Sequence, residues 1–160
     1  MAHNYSAKRN QDRVRFMDWD SRPDNDFASF GLTRAQVKAA QTQLQGYIVL
    51  PGDPAYNADR MLFNPVFDAY PSMIVYCMVE SDVAIALQLA REGTAPFTVR
   101  SGGHCTAGFS AGAGVLIDVS GLNGVYIHPQ MSAATVGCGC NFGNFRAALA
   151  PYGLHVPGGE

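Results

Sequence analysis

From Thr33 the chain reads T-R-A-Q-V-K-A-A-Q-T-Q-L-Q, where Val37, Ala40 and Leu44 recur three and four positions apart among polar neighbours. That spacing predicts a helix with one narrow apolar stripe, suited to packing on the edge of a larger body. Thr33 is its predicted N-cap, Gln36 holds the capping-box position, and Gly46 falls just past the end. The pattern then changes period. Tyr47 to Leu50 predicts a strand closed by Pro51-Gly52. Met73 to Val79 is apolar throughout, as a strand buried on both faces of a parallel arrangement requires. Between them, Asn57 to Tyr70 mixes aromatics with Asn64-Pro65 and Tyr70-Pro71 and reads as a connection with a short helical piece. Ser81, as cap, opens V-A-I-A-L-Q-L-A-R-E before Gly93, the clearest helix in the chain, with Val83, Ala86, Leu87 and Ala90 on its inner face. Phe97 to Arg100 completes a β-α-β unit.

Beyond residue 114 the apolar runs are shorter. Val115 to Val119, Val125 to Ile127 and Ala133 to Val136, separated by turns at Gly121, Asn123-Gly124 and Pro129, predict a second, antiparallel layer. Asn141 to Ala150 predicts a last short helix, and V-P-G-G-E ends the sequence. At the other end, the segment to about Asp26 has no period and reads as an arm, with Phe16, Trp19 and Phe27 as candidate anchors and Lys8, Arg9, Arg13 and Arg15 as solvated charges.

A length of 160 residues with 48% hydrophobic side chains suffices for one core of ordinary size. The net charge of −2 leaves no positive field to attract nucleic acid or anionic lipid. Met1 to Asp26 is polar, without the apolar stretch of a signal peptide, and Met73 to Val79 is too short to span a bilayer, so the expectation is a soluble, cytoplasmic protein. Cysteines at 77, 105, 138 and 140 do not suggest a disulfide framework at this size.

The chemistry concentrates in V-R-S-G-G-H-C-T-A-G-F-S-A-G-A-G-V-L-I-D, residues 99 to 118, a Gly-rich loop between two β-type runs. Gly102 and Gly103 let the backbone turn with φ > 0 and aim successive N–H groups at an anion such as a pyrophosphate. His104 follows directly, and its imidazole can act as base, metal ligand or nucleophile. A flexible turn with an incidental histidine has the same composition. G-C-G-C-N-F-G, residues 137 to 143, is a weak dinucleotide fingerprint because Phe142 occupies the sixth position. It reads equally as a tight strand-to-helix turn. Cys138-x-Cys140 lacks the second pair that a structural zinc site uses, and small buried thiols are the plainer reading, as for Cys77 within its apolar run. His128 and His155 have no partner at a recognisable spacing.

R-S-G-G-H followed by Ala107-Gly108 and by V-L-I-D-V-S-G-L-N-G-V resembles the flavin loop and following strands of the berberine bridge enzyme-like oxidases, a branch of the vanillyl-alcohol-oxidase flavoproteins. P-Y-G-L-H-V-P-G-G near the end adds weaker similarity. The resemblance implies an α+β, PCMH-type FAD-binding fold, a small parallel β-α-β subdomain followed by the start of an antiparallel-sheet subdomain, incomplete in this chain. It also implies that His104 is joined covalently to the 8α carbon of FAD. Arg100, Ser101, Gly102, Gly103, Cys105, Thr106, Gly108, Phe109, Ser110, Pro157, Gly158 and Gly159 are then cofactor contacts. Cys105-Thr106 departs from the family, which more often has a small polar residue and then an aromatic.

On this reading residues 1-46 are an N-terminal arm and helix, and 47-160 are the N-terminal part of the FAD-binding domain. The rest of that domain, the substrate domain and the catalytic base are expected on a missing C-terminal part or a second polypeptide. The implied reaction is oxidation of an alcohol, sugar hemiacetal or activated C–H centre of a small-molecule substrate, with hydride passing to flavin N5. A cofactor-free interaction or assembly module with a degenerate flavin loop remains a second reading, and a thiol or zinc protein a third.

Overall fold

We describe residues 19–158 of a computed structural model of the chain. Phe16 and the basic residues 8, 9, 13 and 15 lie outside the described residues. Helix α1 spans Asp24–Ala28 and α2 Arg34–Gln43. The Thr33 side chain accepts from the Gln36 N–H at 3.3 Å, while the Thr33 N–H donates to Gln36 Oε1 at 2.9 Å. This reciprocal pair is the predicted capping box, and it satisfies amide donors that a helix start leaves open. Val37, Ala40 and Leu44 are all buried, as the stripe predicts.

Four strands form the main sheet: β1 (Tyr47–Val49), β2 (Met73–Tyr76), β3 (Phe97–Arg100) and β4 (Val115–Asp118), in the order β1-β2-β4-β3. β2, β4 and β3 run parallel, and β1 pairs antiparallel on β2. A short helix, α3 (Tyr56–Asp59), lies in the connection between β1 and β2, and α4 (Glu80–Glu92) crosses from β2 to β3. The expected β-α-β unit is therefore present, with another strand lying inside it.

That inner strand corrects one expectation. Val115 to Asp118 is not the start of the antiparallel layer but sits between β2 and β3 in the main sheet, every residue buried. The physical reason is the run V-L-I itself, which has no polar alternation and so needs cover on both faces. One face, with Met73, Val75, Val115 and Ile117, packs with α2, α4 and the N-terminal Trp19, Phe27 and Phe30. The opposite face buries Val49, Ile74 and Leu116 with Tyr56. Only β5 (Val125–His128) and β6 (Ala133–Val136) pair as an antiparallel hairpin. Helix α5 (Phe142–Leu149) follows, capped by the Asn141 side chain, which accepts from the Asn144 N–H at 2.9 Å.

Helix α4 also differs from its expectation. It begins at Glu80, so Ser81 lies inside the helix and is not its cap. Asp82 is fully buried and accepts from the N–H groups of Gln45 and Gly46 at 3.0 Å, Met78 at 2.9 Å and Val79 at 3.3 Å. Burying that carboxylate turns the inner face to Asp82, Ala86, Leu89 and Ala90, and leaves Leu87 39% exposed. Cys77 lies in the core, where burial first, then the Asp82 and Asp118 carboxylates, push its thiol up to about 12.

Candidate functional site

The three parallel strands end side by side, and their last residues form one row, Tyr76, Asp118 and Arg100. Ligands of open α/β sheets bind at this edge. Arg100 is 5% exposed, donates from Nε to Asp118 Oδ2 at 2.7 Å and from NH1 to the Asp59 carbonyl at 2.6 Å, and its NH2 lies 3.4 Å from Tyr76 Oη. Burial opposes its charge, but Asp118 and the neighbouring oxygens outweigh that and raise its pKa further. Burial, reinforced by the Asp59 carboxylate, holds the Tyr76 hydroxyl well above the usual phenol range. Arg100 was expected as a cofactor contact. Within the protein its Nε and NH1 go to Asp118 and to the Asp59 carbonyl, so the guanidinium ties β3 to β4 and to α3.

The loop leaves this platform at Ser101, whose Oγ donates to the Cys138 carbonyl at 2.8 Å. G-C-G-C thus stands behind the loop as the turn from β6 to α5. Gly137 and Gly139 are needed for backbone approach within the protein: a Cβ there would come within 2.0 Å of the Leu122 carbonyl oxygen and 2.2 Å of that of Val119, respectively. Among the described residues no group of three or more His, Cys, Asp or Glu is arranged to hold a metal.

Gly103 has φ +72° and is buried, whereas a Cβ on it would meet only Arg100 and Leu62, at 3.8 Å. The constraint at this position is therefore conformation, not contact. Gly103→Val is expected to lose on the order of 1–2 kcal/mol or more of loop stability, and Gly103→Ala less. Flavin retained through gel filtration measures the effect, and retention equal to wild type in the valine variant refutes it.

Past His104, the nearby backbone amides of Ala107 and Phe109 first, and then of Ser110 and Gly108, draw the Cys105 thiol below the ordinary range, and the Gly108 N–H donates to the Cys105 carbonyl at 3.3 Å. Gly102 is exposed, and Gly103 and Gly108 take φ +72° and +74°, so the Gly-rich backbone can turn its amides toward an anion and the residues present fit a phosphate-bearing cofactor. At neutral pH iodoacetamide is expected to modify Cys105 ahead of Cys77 and of Cys140, whose thiol burial pushes up. The Cys105 rate should fall only as pH drops through a value below that of a free thiol, ~8.5. Peptide mass mapping checks the order, and alkylation of Cys140 first would refute it.

His104 is exposed, as are Gly102, Thr106 and Phe109, the last at 79%. Gly108, with φ +74°, lies under the Phe67 ring, and Ser110 is half-buried. Pro157 is exposed, and Gly158 rests on the ring of Phe142 at the start of α5. Gly159 lies outside the described residues. His128 sits on the hairpin with its Nε2 3.0 Å from Thr135 Oγ1, and His155 is exposed.

Two groups escaped the sequence reading. Asp59, Tyr76 and Asp118 form the platform under Arg100, and an Asp ending one apolar strand with an Arg ending another was the available signal. Leu62, Phe63 and Phe67, which lie along the loop, gave no periodic signal.

The described strands place a Gly-rich, histidine-bearing loop at the C-terminal edge of a parallel sheet, where ligands of open α/β sheets bind. A family model described as FAD binding domain matches residues 71–159, and the chain belongs to that family. It is 35% identical over 120 residues to the uncharacterised FAD-linked oxidoreductase YgaK of Bacillus subtilis, covering 74% of this chain and 27% of the relative. Among solved structures, 6-hydroxy-D-nicotine oxidase from Arthrobacter nicotinovorans matches with a TM-score of 0.65 and 28% identity, over 69% of this chain and 24% of that one. A BBE-like protein of Physcomitrella patens shares the fold at a TM-score of 0.65 and 22% identity, over 72% of this chain and 26% of the other. The fold is thus the PCMH-type FAD-binding fold, present in part, and the chain spans about a quarter of the length of these relatives.

Proposed function

We propose that the chain is the FAD-binding portion of a flavin-dependent oxidoreductase, and that His104 carries the cofactor covalently. The observation that carries this reading is the exposed imidazole of His104 directly after Gly103, whose φ of +72° turns the Gly-rich loop and its backbone amides at the C-terminal edge of the parallel strands. The amides would hold the pyrophosphate, and Gly103 would let the backbone come close to it. His104 would supply the ring nitrogen that bonds the 8α carbon of the flavin. When bound, FAD supplies hydride acceptance at N5 from an alcohol, sugar hemiacetal or activated C–H substrate, while the protein binds, orients and tunes it.

A missing C-terminal part or second polypeptide is proposed to complete the FAD and substrate domains. β3 is a sheet edge with Phe97 51% and Val99 49% exposed, and the hairpin leaves Tyr126 66% exposed. Such edges and patches are covered in finished proteins. The proposed division is 1-46 as arm and helix and 47-160 as part of the FAD domain. Cytoplasmic residence is supported by four unpaired cysteines, which suit a reducing compartment. Among the described residues no helix is long and apolar enough to cross a membrane.

The test is purification of the chain alone and with its completing polypeptide, then anaerobic addition of candidate alcohols and sugars. Flavin absorbance that bleaches with substrate only in the completed protein is the expected result. A colourless completed protein would instead favour the cofactor-free assembly module.

A further inference from the structure

Histidine side chains that work as nucleophiles are ordinarily oriented by a hydrogen bond to one ring nitrogen. His104 makes none among the described residues. Its defined contact is a face: the Phe63 ring stacks on the imidazole with centroids 4.7 Å apart and planes inclined by 22°. Phe63 is itself fixed by its backbone, because its N–H donates to the Gly103 carbonyl at 3.1 Å, one residue before the histidine. Leu62, 6% exposed, packs beside Gly103, and the Phe67 ring covers Gly108, so the segment from 62 to 67 lies against the loop on both sides of His104. The Phe63 ring is 75% exposed and therefore contributes little to the core. A large apolar ring held in the open by a main-chain bond calls for a reason, and the contact it makes is with the imidazole of the loop.

We propose that Phe63 is the positioning residue for His104. Offset stacking of parallel rings fixes the plane of the imidazole without consuming either nitrogen. The lone pair that forms the N–C bond stays available, and the ring is presented in one orientation. A carboxylate or carbonyl orienter would restrain the ring too, but would tie one nitrogen up as a donor. Phe63 touches the histidine and does not itself enter the reaction. This proposal rests on His104 being the linked residue.

The experiment uses the completed protein prepared without flavin and then given FAD, comparing wild type, Phe63→Ala, Phe63→Leu and Phe63→Tyr. Total bound FAD is read before denaturation and covalent FAD after it, along a time course. Both ring-deleting variants are expected to bind FAD as wild type does but to form the covalent link about tenfold more slowly, the order of effect that an aromatic pair supplies. Phe63→Tyr should restore the rate. Imidazole proton resonances of His104 should also move downfield in the leucine variant as the ring current is lost, which checks the stacking itself, while slowed linkage with unchanged binding and its rescue by Phe63→Tyr separate positioning from packing. Covalent linkage at the wild-type rate in Phe63→Leu overturns the proposal while leaving the His104 reading intact. Loss of FAD binding itself in both ring-deleting variants also overturns it, by assigning Phe63 to loop architecture. A wild-type protein that releases all its flavin on denaturation overturns the linkage reading, and with it the role assigned to Phe63, whatever the resonances show.

Discussion

Replacing His104 by alanine is expected to abolish flavin fluorescence on a denaturing gel, from full labelling in the wild-type completed protein to none. The imidazole is exposed on the loop, and Gly102 and Gly103 are untouched by the change. Noncovalent binding should therefore survive, with all FAD released on acid denaturation. His104→Lys and His104→Ser should not restore the link, because an ammonium has no free lone pair at pH 7 and a hydroxyl is a weak nucleophile. Wild-type protein that gives up all its flavin under denaturation would defeat the linkage claim, and the loop could still be the binding site.

The largest effect on stability is expected at the platform beneath the loop. Asp118 is 3% exposed and accepts from Arg100 on one oxygen and from the Ser120 N–H, at 3.0 Å, on the other. Asp118→Asn keeps the shape but removes the carboxylate that the buried Arg100 guanidinium, 5% exposed, bonds to. Breaking one side of such a pair costs about 3–5 kcal/mol, a large fraction of what a domain of this kind has in reserve. Replacing both residues, as in Arg100→Met with Asp118→Leu, should recover much of that loss, since the buried charge goes too. The double variant should nonetheless retain flavin poorly, because the bond from Arg100 to the Asp59 carbonyl is also gone. Urea unfolding of the three proteins measures the first effect and flavin content the second. A single variant as stable as wild type would mean that the pair is dispensable.

Local signals were legible and competition between faces was not. The α2 start could be read from Thr33 and Gln36 because a capping box is a four-residue contact, complete within the sequence that encodes it. The place of β4 depends on which strands it meets, and residues 115 to 118 carry no mark of β2 or β3. The inner face of α4 was misread for a related reason. Counting apolar side chains places Asp82 outside, but four amide donors from two other segments draw it in. At the site, His104 and Gly103 could be singled out by motif, and Gly103 does take the left-handed conformation expected of it. Arg100 could be noticed but not assigned, since its commitment to Asp118, Asp59 and Tyr76 is made by residues far away in the chain. Phe63 lay in an irregular connection, where orientation follows from a single main-chain bond and no periodicity reports it.

The position of β4 also sets an order of events in time. When the chain emerges from its N-terminus, β1 and β2 can pair at once, and α4 can form locally, but β3 has no neighbour to pair with until Val115–Asp118 arrives and inserts between it and β2. The strand that unites the sheet is thus the last of the four to be made, and pairings of long sequence separation form slowly. The loop bearing His104 is the tether between β3 and β4, so closing the sheet and shaping that loop are one late step, and a cofactor held there would report by its uptake when the core of this chain had finished folding.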